Sequence, residues 1–411
     1  MHLQSGDVPV IAGIVIFIAS YLVFAAGKFP GMKIDRPGMA IIGAVLMVAF
    51  RVVNAGDALR SVDFATIVLL FAMMLVVANL RLVGFFDLIA EWVVTKLGPT
   101  HLLPAVILST GVLSAFFVND IICLVMVPIV LQITRRMDVQ PLPYLLAVAT
   151  ASNIGSVATI TGNPQNILIG SYSGISYRSF LAHLGPIAAM GLFFDWMILH
   201  WIFRRDLSAG TAQVRPSETI VSSSQSLLKP GLVVVLVIAG FLIGFPPALV
   251  AAIGAAIILI SRSMEPRRVY DEVDWGLLVF FVGLFVIVGG AEKVGLVAGM
   301  LDIAQTWNLH NSAIFAIVTA VMSNLVSNVP AVMLLKSVVP QFPDPHHAWL
   351  LLAMASTLAG NLTITGSIAN IIVVECARDE VKIGFWDYLR VGVPVTVATL
   401  TIGTVWLWLV K

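Results

Sequence analysis

Long apolar runs separated by short polar breaks fill most of the chain. Runs of roughly membrane-spanning length, judged against the ~20 residues that cross a hydrocarbon core, fall near 8–26, 37–53, 64–82, 141–173, 179–203, 230–245, 246–263, 275–292, 347–377 and 388–409. Two more, 101–134 and 311–341, are interrupted at their centres by Phe116-Phe117-Val118-Asn119-Asp120 and by Asn324-Leu325-Val326-Ser327-Asn328-Val329-Pro330. Only helices and closed barrels satisfy their own backbone groups in lipid, and runs of this length predict helices. The largest polar stretch, Arg204 to Lys229, is rich in Ser, Thr and Gln and lies almost at the midpoint. It reads as a linker, dividing the chain into 1–204, a cytoplasmic linker 205–229, and 230–411.

The two parts echo each other. Gly43 and Arg51 correspond to Gly254 and Arg262, Val62-Asp63 to Val273-Asp274, and Val83-Gly84 to Val294-Gly295, all at an offset of 211. Asn119 matches Asn328 at 209, and Thr161-Gly162-Asn163-Pro164-Gln165-Asn166 matches Thr365-Gly366-Ser367-Ile368-Ala369-Asn370 at 204. An odd number of crossings per half inverts the second half relative to the first. The expected fold is an all-α polytopic membrane protein of two inverted-topology repeats, each with five spanning helices plus a re-entrant hairpin and one discontinuous helix, an architecture typical of secondary transporters.

Composition agrees. Of 411 residues 59% are hydrophobic and 11% charged, and the mean hydropathy is +1.00, too little polar surface for a soluble globule. A net charge of +1 excludes nucleic acid as an expected partner. Two cysteines provide no disulfide framework or metal spacing, and the histidines form no ligand cluster, so neither a cofactor nor a metal is expected. With the N-terminus outside, seventeen Lys and Arg residues, among them Lys28, Arg36, Lys96, Arg215 and Arg262, collect on the inner side. Six, among them Lys336 and Lys411, collect on the outer side. The asymmetry predicts a multi-pass protein of the plasma (inner) membrane with both termini outside.

Gly and Pro break helices at membrane depth and free backbone groups that need polar partners. Gly162 with Pro164 predicts one break; Gly366, with no proline beside it, marks the second less strongly. A broken helix offers free amides at one end and carbonyls at the other, a ready site for polar cargo. The candidate substrate-binding residues are therefore Asn119, Thr161, Gly162, Asn163, Gln165, Asn166, Asn328, Thr365, Gly366, Ser367 and Asn370, with polar stitching between helices as the plainer alternative. Asp120 is the one acid beside these motifs. It is a candidate proton or cation coupling site, or else a structural cap. Asp195 is a second intramembrane acid without a motif, Cys123 a soft group one turn beyond Asp120, and Lys336 is placed to snorkel to the outer interface. No lysine or arginine lies within the four motifs.

At these residues the chain resembles the ion-transporter superfamily that unites arsenite permeases, sodium/proton antiporters and citrate and divalent-anion symporters. Ser152-Asn153-Ile154-Gly155 running into the Thr161–Asn166 stretch is similar to the break of arsenite-permease relatives, and Asn119-Asp120 to their hairpin. The resemblance covers nearly the whole chain. It implies hairpin tips meeting unwound helices, a transport domain moving past a scaffold, a homodimer, and in some relatives a soluble ATPase partner. Asn163 stands where many relatives carry Asp, and the hairpin triplets of dicarboxylate symporters are missing. The leading expectation is a non-enzymatic secondary transporter exporting arsenite or antimonite against protons, since a mostly uncharged acid suits motifs without a fixed positive charge. The runner-up is transport of a small anion such as sulfate, citrate or another carboxylate, coupled to H+ or Na+.

Overall fold

The computed structural model describes residues 7–27, 33–86, 88, 99–208, 228–260, 265–296, 299, 306 and 308–410. The central part of the expected linker, 209–227, and the basic residues Lys28, Lys96, Arg215, Arg262 and Lys411 lie outside them.

The first half runs α1 (Asp7–Ala26), α2 (Arg36–Ala49), the short α3 (Ala55–Ser61), α4 (Phe64–Leu82), α5 (Pro99–Phe116), α6 (Asn119–Met137), α7 (Leu142–Ser156), α8 (Pro164–Ser173) and α9 (Tyr177–Ile202). The second half repeats this order: α10 (Leu228–Ile243), α11 (Pro247–Ile260), the short α12 (Pro266–Asp271), α13 (Trp275–Lys293), α14 (Ser312–Val326), α15 (Asn328–Leu335), α16 (Pro345–Leu358), α17 (Ile368–Ala377) and α18 (Phe385–Leu409). Among the described residues every regular element is helical. Among the described residues each half has four unbroken apolar helices, a two-armed hairpin and a helix broken in two. The expected runs at 141–173 and 347–377 are each two half-helices.

Corresponding elements start and stop by the same chemistry. Asp63 caps α4 by accepting from the amides of Ala65 and Thr66 at 3.0 and 3.3 Å, and Asp274 caps α13 by accepting from Leu277 N at 2.9 Å, each worth about 1 kcal/mol. Those two helices end alike, at Gly84 with φ +80° and Gly295 with φ +81°, a backbone state in which glycine avoids the Cβ penalty.

Packing is reciprocal between halves. α2 lies on α13, and its counterpart α11 lies on α4; α1 and α10 flank them. The second group holds α5 on α7, α14 on α16, and α9 on α18. Its two halves cross at the centre, where α17 packs on α6 and α8 packs on α15. Side chains such as Val8, Ile11, Val15, Ile18 and Leu22 on α1, and Leu232, Val235, Leu236 and Ile243 on α10, point outward uncovered. Trp201, Trp386 and Trp408 are exposed at helix ends, where an indole suits the lipid–water boundary. An apolar exterior with aromatic ends is what a bilayer requires and water penalises.

Candidate functional site

Between α7 and α8 the chain passes through extended Thr159 (φ −136°, ψ 163°), a single turn Ile160–Gly162, and extended Asn163. Pro164 has no N–H to give to the preceding turn and opens α8. A side chain at Gly162 would run into the Ser156 carbonyl. The carbonyls freed by the break are taken up by one amide: Asn166 Nδ2 donates to Ser156 O at 3.1 Å and Thr159 O at 3.0 Å. Asn163 Oδ1 accepts from Asn166 N at 2.8 Å.

The second break reproduces this without a proline. Thr363 again has φ −136° and ψ 163°, before a turn Ile364–Gly366. Asn370 Nδ2 donates to Gly360 O at 2.7 Å and Thr363 O at 3.0 Å, the same seven- and ten-residue reach that Asn166 makes. The asparagine, rather than the proline, is the shared device.

Two hubs tie the breaks to the opposite half. Asn153 on α7, fully buried, donates to Asn361 Oδ1 at 2.9 Å and Asn370 Oδ1 at 3.0 Å. Its own Oδ1 accepts from Asn119 Nδ2 and Ser367 Oγ, both at 3.0 Å. Its counterpart Thr357 on α16 accepts from Asn163 Nδ2 and Gln165 Nε2, both at 3.2 Å. At the second hairpin tip, the amide orientation that satisfies both ends of Asn328 has its nitrogen donating to Gly366 O and its oxygen accepting from Gln165 Nε2, both at 3.2 Å.

These contacts enclose a cavity of about 130 Å³ lined by Asn119, Asp120, Pro164, Gln165, Ser327, Asn328, Val329, Ser367 and Ile368, and by Arg36, Pro37, Asp274, Gly276, Leu277 and Phe280 from the other helix group. Four helices, α6, α8, α15 and α17, begin at it. No side chain caps the N-termini of α6, α15 or α17, so their partial positive charges, roughly +0.5 each, face the space. Asn119 is 2% exposed and its Oδ1 has no partner. Ser327 holds φ +76° at the second tip, a strained state for a residue with a side chain.

Five of the expected residues line the cavity: Asn119, Asp120, Gln165, Asn328 and Ser367. The others stand behind or beside it. Thr161 is bonded to Tyr177 OH at 2.8 Å, Asn163, Asn166 and Asn370 serve the breaks, Gly162 and Gly366 form their turns, and Thr365 is an exposed neighbour of Thr363. Cys123 is fully buried and outside the lining. Asp195 accepts from Thr150 Oγ1 at 3.0 Å. Lys336 pairs with Glu292 at 3.1 Å and lies 4.4 Å from the centre of the Tyr172 ring.

Two lining groups have no place among the expected site residues. Asp274 joins Asp120 as a second acid, and Arg36, fixed by its Nε donating to Phe24 O at 2.9 Å, brings a cation to a site whose own motifs carry none. In sequence Arg36 stands only as an inner-face charge and Asp274 only as the mate of Asp63. Their convergence comes from the packing of α2 on α13.

Comparison with known proteins fits this geometry. A solved transporter, YdaH of Alcanivorax borkumensis, described as having an unusual topology, superposes with a TM-score of 0.62 at 12% identity over 98% of each chain. The chain is similar to a 46 kDa membrane protein of Mycobacterium leprae, 30% identical over 97% of this chain and 98% of that one. It is also similar to the silicon efflux transporter LSI3 of Oryza sativa subsp. japonica, 28% identical over 96% of each. The family described as citrate transporter, CitMHS, matches residues 15–359. With two broken helices and two hairpin tips meeting at one polar cavity inside an apolar bundle, the chain is a membrane transporter and belongs to the citrate transporter family.

Proposed function

We propose that the chain is a secondary active transporter of a small oxyanion, coupled to protons at Asp120 by elevator-type alternating access between inverted repeats. One observation carries the reading: uncapped helix N-termini and the Arg36 guanidinium converge on the same cavity as Asp120. Positive helix ends and a guanidinium attract carboxylate, sulfate or related oxygens. Asp120 opposes them when ionised, so a proton on it favours the anion and the two travel together. The cavity lies between the helix group that contains the breaks and the group containing α2 and α13, where relative sliding transfers it from one face to the other.

Thermal unfolding of the purified protein with citrate, succinate, sulfate, arsenite and antimonite, at acidic and neutral pH and with and without sodium, tests this. A ligand at ~100 times its Kd adds about 2.7 kcal/mol to the folded state. The expected result is stabilisation by an oxyanion that strengthens on acidification and ignores sodium. Stabilisation by sodium alone, or none by any anion, would overturn it.

A second reading, efflux of arsenite or antimonite, is favoured by the amides and hydroxyls of Asn119, Gln165, Ser327, Asn328 and Ser367 in the lining, which suit an uncharged hydroxylated metalloid acid. A relative named for silicon efflux points the same way. Arg36 and Asp274 weaken it, because a neutral cargo gains little from either charge. Stabilisation by arsenite that is indifferent to pH would select this reading.

A further inference from the structure

The walls that the helix group of α2, α4, α11 and α13 offers the site are duplicated. Arg36, Pro37, Gly276, Leu277 and Phe280 line the cavity of the tips. Their counterparts 211 residues away, Pro247, Ala248, Ala65, Thr66 and Leu69, line a second cavity of about 370 Å³. The first wall faces the starts of the half-helices, at Ser367 and Ile368. The second faces the body of α8, at Ile167, Gly170 and Ser171. Gly170 lies six residues beyond the α8 start, roughly 9 Å at ~1.5 Å per residue, so the two halves stand out of step against equivalent walls. Of the two charged residues in the first wall, Asp274 has its counterpart Asp63 at the start of α4, outside the lining of the second cavity, and Arg36 is replaced by Pro247.

We propose that Arg36 is the side-specific charge that draws the coupling proton off Asp120 when the site faces its wall, and that the opposite wall, with Pro247 in its place, lets Asp120 take the proton up. The inference rests on the reading of Asp120 as the coupling group. In the release step the Asp120 carboxylic acid gives its proton to solvent water, and the carboxylate left behind is balanced by the guanidinium; no electron is transferred. Among the described residues Arg36 is the cation that lines the cavity with Asp120. Arg81, at the end of α4, is paired with Glu272 at 2.5 Å. On α17, Glu375 is paired with Arg378 at 3.1 Å, and Cys376 is the other ionisable group. Along α6 itself stand Cys123 and, at the far end, Arg135, which is paired with Glu380, and Arg136. α7 offers only Tyr144, and α5 only His101. Asp274 at the head of α13 is of like sign to Asp120 and opposes ionisation.

Infrared titration of the purified, full-length protein reads this directly. The protonated-carboxyl band that vanishes in Asp120→Asn is followed against pH in the parent, in Arg36→Gln and in Arg36→Lys. A neighbouring cation favours the ionised carboxyl, so Arg36→Gln is expected to retain the proton to higher pH, moving the midpoint up by about 1 to 3 units. Arg36→Lys restores most of the shift, which a merely structural role would not predict. An unmoved midpoint in Arg36→Gln, with the band otherwise titrating, overturns the inference and leaves the coupling role of Asp120 intact. A band that never titrates in the parent overturns that coupling role itself.

Discussion

Asn153 bears more of the site than any residue facing the cargo, and its removal has a calculable cost. It is fully buried and is the bonding partner of Asn119 Nδ2, Ser367 Oγ, Asn361 Oδ1 and Asn370 Oδ1. In Asn153→Ala the first two still line the cavity and recover water. Asn361 and Asn370, both fully buried and outside the lining, do not. A buried polar group left unpaired costs about 1–3 kcal/mol, so the pair sets an expected loss of about 2–6 kcal/mol, before any void left by the shortened side chain.

Asn153→Asp separates hydrogen bonding from volume. It fills the same space but turns an acceptor toward Asn361 Oδ1 and Asn370 Oδ1. Those amides cannot simply rotate, because Asn361 Nδ2 is committed to Thr150 O at 3.1 Å and Asn370 Nδ2 to the second break. The aspartate variant is therefore expected to be at least as destabilised as the alanine at neutral pH. It recovers in acid, where a protonated carboxyl can donate once. Chemical unfolding in mixed detergent, run on both variants with Ser152→Ala as a neighbouring control, measures this. If Asn153→Ala falls within about 0.5 kcal/mol of the parent, the hub does not hold the second break, and the account of how the halves are joined fails.

Asp120→Asn is expected to keep binding the cargo anion but lose the dependence of binding on pH and all accumulation driven by a proton gradient; proteoliposome uptake as steeply dependent on the gradient as the parent's refutes the coupling role. Lys336 beyond α15 bonds to Glu292 in the last turn of α13 across the two helix groups, and with side-chain exposures of 15% and 42% the pair is worth at most about 1 kcal/mol. Lys336→Met should release that tie and raise maleimide labelling of a Thr66→Cys reporter at the second wall by up to about fivefold, whereas unchanged labelling denies the pair a role in holding this arrangement. Ser327→Gly should relieve the φ +76° backbone and stabilise the protein by about 1 kcal/mol. A lower unfolding midpoint would mean that the serine side chain contributes more than its strain costs.

The extents of the helices were legible because hydropathy is a one-dimensional signal: the run expected at 64–82 is α4 to the residue, and that at 275–292 differs from α13 by one. The repeat was legible for the same reason, in Asp63 with Asp274 and Gly84 with Gly295, where a cap and a left-handed glycine fix local backbone whatever lies around them. Two things were not. Asn163, Asn166 and Asn370 read as groups for cargo or as polar stitching between helices; at membrane depth a break exposes carbonyls before it admits any ligand, and these amides donate to them. An asparagine inside a break motif is thus weaker grounds for a cargo contact than one at a hairpin tip, where Asn119 keeps an oxygen free. Arg36 was invisible in a different way. It stands 84 residues before Asp120 and at the start of α2, and nothing in its local sequence separates it from the other basic residues of the chain. Only the lie of α2 against α13 carries it to the tips. If alternating access depends on walls whose charges differ, the residues that set coupling belong to the stationary helices as much as to the broken ones, where local motifs do not mark them.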